Sequence, residues 1–253
     1  MKLFFSEFAS NYSKYHFPYQ VYLIREEADD LNRIYSMGFL PSRTRKTLFY
    51  LGRSLRIDLD KFSMSSENRR IKRKTTYIKE EIRKLDDFNY SYKIGKMGVD
   101  FYKERFGRKI LSAYRIKWLF TKSNCTDVII YYDKNDKDKV IGYCVIYLTD
   151  KILHYAYPFY DLDYLNKNLG IGMMLRSIRW SKENNLKYLY LGTCYTESSL
   201  YKTQFSGIEF FNGFKWDSDI DNLKERIRGS HKGHLFEIMK NKDIVFEKNG
   251  ISI

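Results

Sequence analysis

Ile152-Leu153-His154-Tyr155-Ala156-Tyr157-Pro158-Phe159-Tyr160 is an apolar, aromatic run, and Leu169-Gly170-Ile171-Gly172 and Leu186-Lys187-Tyr188-Leu189-Tyr190-Leu191-Gly192 follow it. The first and last of these have the length and β-branched or aromatic content of buried strands. Between them Ile171, Met174, Leu175 and Ile178 recur at helical spacing, with Arg176, Arg179 and Lys182 on the other faces, so a helix is expected to start at the glycines. Strand, glycine turn, helix and strand make a βαβ unit. The unpaired amides at such a helix start, together with the helix dipole, attract phosphate or carboxylate oxygens. A tight turn with no ligand is the alternative reading of two glycines.

Upstream, Asp127–Tyr132 and Val140–Leu148 predict a hairpin whose loop is the charged run from Asp133 to Lys139. Val99 to Lys122 predicts a helix with Gly107 as its weak point. The polar stretch from Asp86 to Gly98 is expected to separate two halves, residues 1–90 and 91–253. In the first half, Glu26 to Gly38 predicts a short helix, and Leu48–Tyr50 and Ser54–Leu59 predict strands, the second alternating Leu55, Ile57, Leu59 with Arg56, Asp58, Asp60. Phe4 to Tyr22 looks aromatic and irregular, with an extended turn at Phe17-Pro18-Tyr19. The expected class is α/β (α+β): a small N-terminal α+β module, then a core with a mixed sheet.

Charge narrows the partners. The 253 residues carry 45 Lys plus Arg against 31 Asp plus Glu, a net +14, and the isoelectric point is about 9.4, which favours a polyanion. Between Ser42 and Lys84 basic residues exceed acidic ones by nine, and Arg69, Arg70, Lys72, Arg73 and Lys74 follow a capping Ser65 or Ser66. Such a cluster can neutralise several phosphates of a nucleic acid; a solvated basic face is the alternative. Cys125, Cys144 and Cys194 show neither metal-ligand nor disulfide spacing, and buried thiols are expected. His16, His154, His231 and His234 show no ligand or nucleophile spacing, so structural or surface roles are expected. There is no apolar run of about 20 residues and no signal-peptide pattern in Met1-Lys2-Leu3-Phe4-Phe5-Ser6-Glu7, so the expectation is a cytoplasmic protein without a membrane.

Lys167 to Gly172 resembles the pyrophosphate loop of the GCN5-related acyltransferases, and the order of elements resembles their core. A narrower resemblance covers both halves. Gly38-Phe39, Phe49-Tyr50, Arg53-Ser54-Leu55-Arg56-Ile57, Phe62, Ser65 and Arg69–Arg73 are similar to the N-terminal domain of the arginyl- and leucyl-tRNA–protein transferases. Phe159-Tyr160-Asp161, Leu169-Gly170, Tyr188–Gly192 and Tyr201-Lys202 with Glu209 are similar to their C-terminal domain. The chain departs from that pattern in lacking the cysteine cluster before Arg53, lacking a proline after Tyr201-Lys202, and carrying Gly172. A metal role is therefore not carried over.

The resemblance implies direct aminolysis: an amino acid of Arg or Leu type passes from aminoacyl-tRNA to the N-terminal amine of a protein or peptide, with aminoacyl-tRNA as co-substrate and no cofactor. With it, Tyr190, Tyr201, Lys202 and Glu209 are expected at the chemistry, and Asp161, Gly170, Gly192 and Tyr195, with Gly172 of the glycine turn, in substrate binding. Arg56 and the basic cluster Arg69, Arg70, Lys72, Arg73 and Lys74 are expected on the tRNA. For the tyrosines, core packing is the competing role, and for Lys202 and Glu209 a solvated surface. Two other functions stand beside this one: an acetyl-CoA-dependent N-acyltransferase, supported by Gly170-Ile171-Gly172, and a non-catalytic RNA-binding adaptor.

Overall fold

The computed structural model describes residues 1–7, 13, 19–43, 45–107 and 110–228. Where the sequence looked irregular, β1 (Lys2–Glu7) and β2 (Tyr19–Ile24) pair antiparallel; Phe17 and Pro18 lie outside the described residues. The first helix, α1 (Leu31–Ser36), is shorter than the expected Glu26–Gly38. Asp29 accepts from the Glu26 N–H in a turn and Asp30 caps the helix through the Asn32 N–H, so the chain is committed to a loop until Leu31. With β3 (Phe39–Pro41) and β4 (Leu48–Leu51) these strands form a four-stranded sheet of order β1-β2-β4-β3.

Next come β5 (Ser54–Asp58), α2 (Ser66–Lys74) and β6 (Ile78–Lys84), the last not foreseen. Ser65 caps α2 in a reciprocal box with Asn68. The expected long helix is two, α3 (Tyr92–Phe106) and α4 (Ala113–Thr121), broken at Gly107, whose φ of +94° suits glycine. The hairpin is present as β7 (Asp127–Asp133) and β8 (Lys139–Leu148). Then follow β9 (Ile152–Tyr160), a 3-10 turn over Leu162–Lys167, α5 (Leu169–Glu183), β10 (Tyr188–Thr193) and a 3-10 segment over Glu197–Gln204. β11 (Ile208–Phe211), β12 (Trp216–Asp217) and α6 (Ile220–Arg228) close the described chain.

The fold is mixed α/β, as the sequence led one to expect. One eight-stranded sheet has the order β12-β11-β5-β10-β9-β8-β7-β6, and only β9 and β10 in it run parallel. Two of its strands, β5 and β6, come from the first ninety residues, so the division expected near residue 90 does not divide this sheet. β5 sits near its middle with all five residues buried, Arg56 and Asp58 included, where the alternation had suggested one wet face. Helix α5 covers one face, the Tyr131 hydroxyl lying 2.8 Å from Ser177 Oγ. Helices α3 and α4 cover the other, where Phe120 and Tyr143 pack on Phe159 at 6.1 and 5.6 Å between ring centres. The four-stranded sheet shares a core of Leu23, Ile34, Tyr35, Phe39, Leu40 and Phe49 with Tyr147, Ile152 and Tyr190 of the large one.

Candidate active site

The parallel pairing of β9 with β10 is short. It runs from Ile152↔Tyr188 to His154↔Tyr190 and stops, while β9 continues along β8 to Tyr160↔Gly142 and β10 continues along β5 to Thr193↔Ser54. Each strand carries a bulge at the split: Ala156 is extra in β9 opposite Val145 and Ile146, and Leu191 is extra in β10 opposite Leu55 and Arg56. A bulge bends its strand and sharpens the local twist, so two of them side by side swing the strands apart. Gly192, at φ +74°, takes the left-handed conformation of the β10 kink. The result is a wedge at the carboxyl ends of two parallel strands, the place where ligands collect in sheets of this kind.

Lys202 reaches this wedge. The 3-10 segment after β10 folds back so that its Nζ donates to the Thr193 carbonyl at 3.1 Å. No carboxylate among the described residues forms an ion pair with it, and burial pulls its pKa below the usual lysine value, the Cys194 thiol opposing. A half-buried ammonium with a single carbonyl for company has donors to spare for an anion. Beside it, burial and the Lys202 charge lower the His154 pKa to about 3, so the ring is neutral. His154 Nδ1 shares a hydrogen bond of 3.0 Å with the Tyr35 hydroxyl. That is the structural role expected for this histidine, but its place within reach of the Lys202 charge was not foreseen; His16, His231 and His234 lie outside the described residues.

The other expected site residues divide sharply. Tyr201 is half exposed at the mouth, its phenol raised by burial, with Arg105, Tyr160 and Cys194 as its charge neighbours. The Tyr195 hydroxyl accepts from the Arg53 N–H at 2.9 Å, and the Arg53 guanidinium lies 5.3 Å from its ring centre. Asp161 caps the turn after β9, accepting from the Asp163 N–H, and pairs with Lys139 at 3.1 Å. With Tyr160, Lys93 and Lys96 it lines a cleft of about 310 Å³.

Four expectations need correction. Tyr190 is core, packed edge-on against Tyr35 and Trp216 at 4.9 and 5.7 Å, because its side of the sheet is covered by the N-terminal strands. Glu209 is not a free carboxylate: Oε2 accepts from Arg56 Nε and pairs with its terminal nitrogen, both at 2.8 Å, and Oε1 meets Lys61 at 3.1 Å. Arg56 is correspondingly closed to RNA, held between the rings of Tyr188 and Trp216 at 3.9 and 4.0 Å. The two are direct cross-strand neighbours on β5 and β11.

The fourth correction concerns the glycines. Gly170 and Gly172 lie inside the first turn of α5, which begins after Asn168 at φ +58° with no side-chain cap. The Gly172 N–H already donates to Asn168 O at 2.9 Å. A methyl group on Gly172 would stand 2.7 Å from Thr75 Cγ2 and 2.9 Å from Ile78 Cδ1, and one on Gly170 would stand 3.1 Å from the Tyr160 ring. Close packing of α5 on α2 and β6 therefore accounts for Gly172. The same contact sets the basic helix beside the start of α5. Arg70 on it pairs with Glu67, the Arg69 guanidinium donates to Met64 O at 2.6 Å, and Lys72, Arg73 and Lys74 are exposed.

Residues 89–212 match the family model described as the C terminus of arginine-tRNA-protein transferase. An aspartate/glutamate leucyltransferase of Ruegeria pomeroyi is 26% identical over 170 residues, 66% of this chain and 62% of its own length. That of Dinoroseobacter shibae is 24% identical over 189 residues, 70% and 66% respectively. The chain thus spans a little under two thirds of these relatives. Solved structures that resemble it distantly include L-PGS from Bacillus licheniformis, with a TM-score of 0.39, 12% identity and 68% of this chain against 54% of that one. Another is the GCN5-related glucosamine N-acetyltransferase region of a fungal β-N-acetylglucosaminidase, with a TM-score of 0.39, 12% identity and 63% against 19%. The β9–β10 split of this wedge thus lies within the segment, residues 89–212, that is similar to the C-terminal domain of the arginine-tRNA-protein transferases.

Proposed function

We propose that the protein transfers an amino acid, leucine in the first instance, from aminoacyl-tRNA to the N-terminal amine of a protein or peptide that begins with an acidic residue. The observation that carries this reading is the unpaired, half-buried Lys202 at the wedge, within the segment that matches the transferase family. The acceptor amine attacks the carbonyl carbon of the ester, an oxyanion forms, and collapse releases the tRNA 3′ oxygen, which takes up the proton the amine gives away. The ester is already activated and an α-amino group titrates near 8, so positioning and oxyanion stabilisation are the main demands on the protein. The acyl group comes from the tRNA itself, so the reaction as proposed calls on no cofactor.

Lys202 serves in this scheme to hold the side-chain carboxylate of the acceptor. The engaged state of Glu209 favours leucine over arginine as donor residue, because that buried carboxylate is already neutralised by two cations, Arg56 and Lys61. The packing account of Gly172 likewise removes the main support for an acyl-CoA donor. The test is transfer of labelled amino acid from a panel of charged tRNAs to peptides beginning with Asp, Glu or Ala, with acetyl-CoA as the rival donor. Leucyl transfer to Asp and Glu peptides is expected. Acetylation without aminoacyl transfer, or RNA binding with neither, would replace this reading.

A further inference from the structure

The β3–β4 turn and α4 are far apart in the chain and stitched together in space. Arg115 donates from its guanidinium to the Arg43 carbonyl at 3.1 Å across 72 positions, and Asn124 donates from its amide to the Lys46 carbonyl across 78. These contacts gather Arg43, Arg45, Lys46, Arg115 and Lys122 on one surface, all but the half-buried Arg115 exposed. Part of it forms a cleft of about 300 Å³ whose walls include Arg25, Lys46, Lys122 and Asn124, with Asp86 the one acidic residue among those lining it. Aromatic groups stand among the cations: Tyr114 is 71% exposed, and the Arg115 guanidinium lies 5.5 Å from the Trp118 ring centre.

This surface runs toward the wedge, because β4, which follows the turn, ends beside Thr193: a methyl group on Gly52 would stand 3.2 Å from the side chains of both Tyr50 and Thr193. Tyr157 lies on β9 past the split and is half-buried; burial pushes its phenol up, and the charges of Arg43 and Arg115 act against that. Tyr50 is raised by burial and feels Arg43 in the same way. The basic helix α2 packs instead beside α5, on the opposite face of the large sheet. Cations interleaved with aromatic rings and leading into a cleft fit an unpaired nucleic-acid strand, whose phosphates the cations meet and whose bases the rings stack on.

We propose that the surface made by Arg43, Arg45, Lys46, Arg115 and Lys122 binds the acceptor end of the donor RNA and conducts its unpaired 3′ terminus into the wedge, while α2 meets another part of the same molecule. The proposal rests on the aminoacyl-tRNA reading above. Its test compares two charge-removal variants: Arg43→Gln with Lys46→Gln and Lys122→Gln, and Arg69→Gln with Lys72→Gln, Arg73→Gln and Lys74→Gln. Arg115 is left in place because it ties α4 to the turn, and melting temperatures check that both variants fold.

Binding is measured by fluorescence anisotropy across a salt series, with intact deacylated tRNA and with an acceptor-stem minihelix carrying the unpaired 3′ end. Each lost phosphate contact removes ~0.7 to 0.9 from the slope of log affinity against log salt. The turn-and-α4 variant is expected to lose about two units of slope with both ligands, and the α2 variant with intact tRNA alone. An unchanged minihelix slope in the first variant overturns the proposal while leaving the donor reading standing. A wild-type protein that binds neither RNA overturns both. Should the first variant keep its RNA affinity and lose affinity for an acidic peptide, the surface belongs to the acceptor and the proposal is wrong.

Discussion

Arg56 and Lys202 are both cations withdrawn from water beside β10, and they are treated in opposite ways. Arg56 has Glu209 on its donors and an aromatic ring on each face of its guanidinium, with Lys61 and Asp58 extending the network at 3.1 Å. Lys202 has one backbone carbonyl. Withdrawing a charge from water costs several kcal/mol unless a partner compensates it. A compensated charge can be part of the scaffold; an uncompensated one is retained against its own cost, which points to a ligand that completes it.

The sharpest way to break this contrast is Glu209→Gln. It leaves Arg56 buried without its counter-charge, and the loss should be about 3 kcal/mol or more, a fall in melting temperature of roughly 6 to 12 °C, read by calorimetry. A variant that melts like the wild type would free Glu209 for a direct role in the wedge. Lys202→Met should do the reverse. Removing an uncompensated charge leaves the melting temperature unchanged or raises it, while the Michaelis constant for acidic acceptor peptides rises about 10- to 100-fold and donor affinity holds. Equal losses for acidic and neutral acceptors would move Lys202 from the acceptor carboxylate to the donor.

His154 sharpens the contrast through pH. Its pKa falls from 6.5 to about 3 on folding, so between these values the unfolded chain binds a proton that the folded one refuses. Stability contributed by the neutral ring is therefore whole above pH 6.5 and is lost as pH falls toward 3, at a slope of up to ~1.4 kcal/mol per pH unit. His154→Asn should flatten that window in urea titrations at successive pH values. Since Lys202 is one cause of the shift, Lys202→Met should shallow it slightly.

Gly172→Ala is the smallest effect expected. The added methyl group presses on Thr75 and Ile78, while the helix gains from losing a glycine, and the net cost should be about 1 kcal/mol with no change in donor affinity. A large loss of donor binding with intact stability would return the start of α5 to the site.

What could be read from the sequence was whatever one segment decides alone. Ser65 and Asn68 cap α2 because a capping box is a local pattern, and the Asp127–Leu148 hairpin follows from two apolar runs around a charged loop. Lys202 was picked out by the Tyr201-Lys202 resemblance, and its partner Thr193 lies only nine positions before it. The misreadings were set by distant partners. Arg56 alternates like a surface residue until β11 and Trp216 are laid against it. Gly170 and Gly172 look like a turn until α2 and Tyr160 press against the helix they begin. The wedge depends on Ala156 and Leu191 each being one residue too many for the strand alongside, and a register mismatch has no signature within a single strand.

The insertion of β5 between β10 and β11 sets a timetable for the growing chain. Asp58 and Tyr188 are partners in the sheet, yet about 130 residues of synthesis separate them. At ribosomal speeds the apolar Leu55 and Ile57 wait roughly ten seconds for the strands that will flank them, which makes the middle of the sheet a late event and leaves a β edge uncovered meanwhile. Long-range pairing of this kind slows folding in general. The wedge, which exists only where β10 leaves β9 to follow β5, is therefore among the last features to form, and a chain stalled before residue 188 has a hydrophobic edge and no wedge.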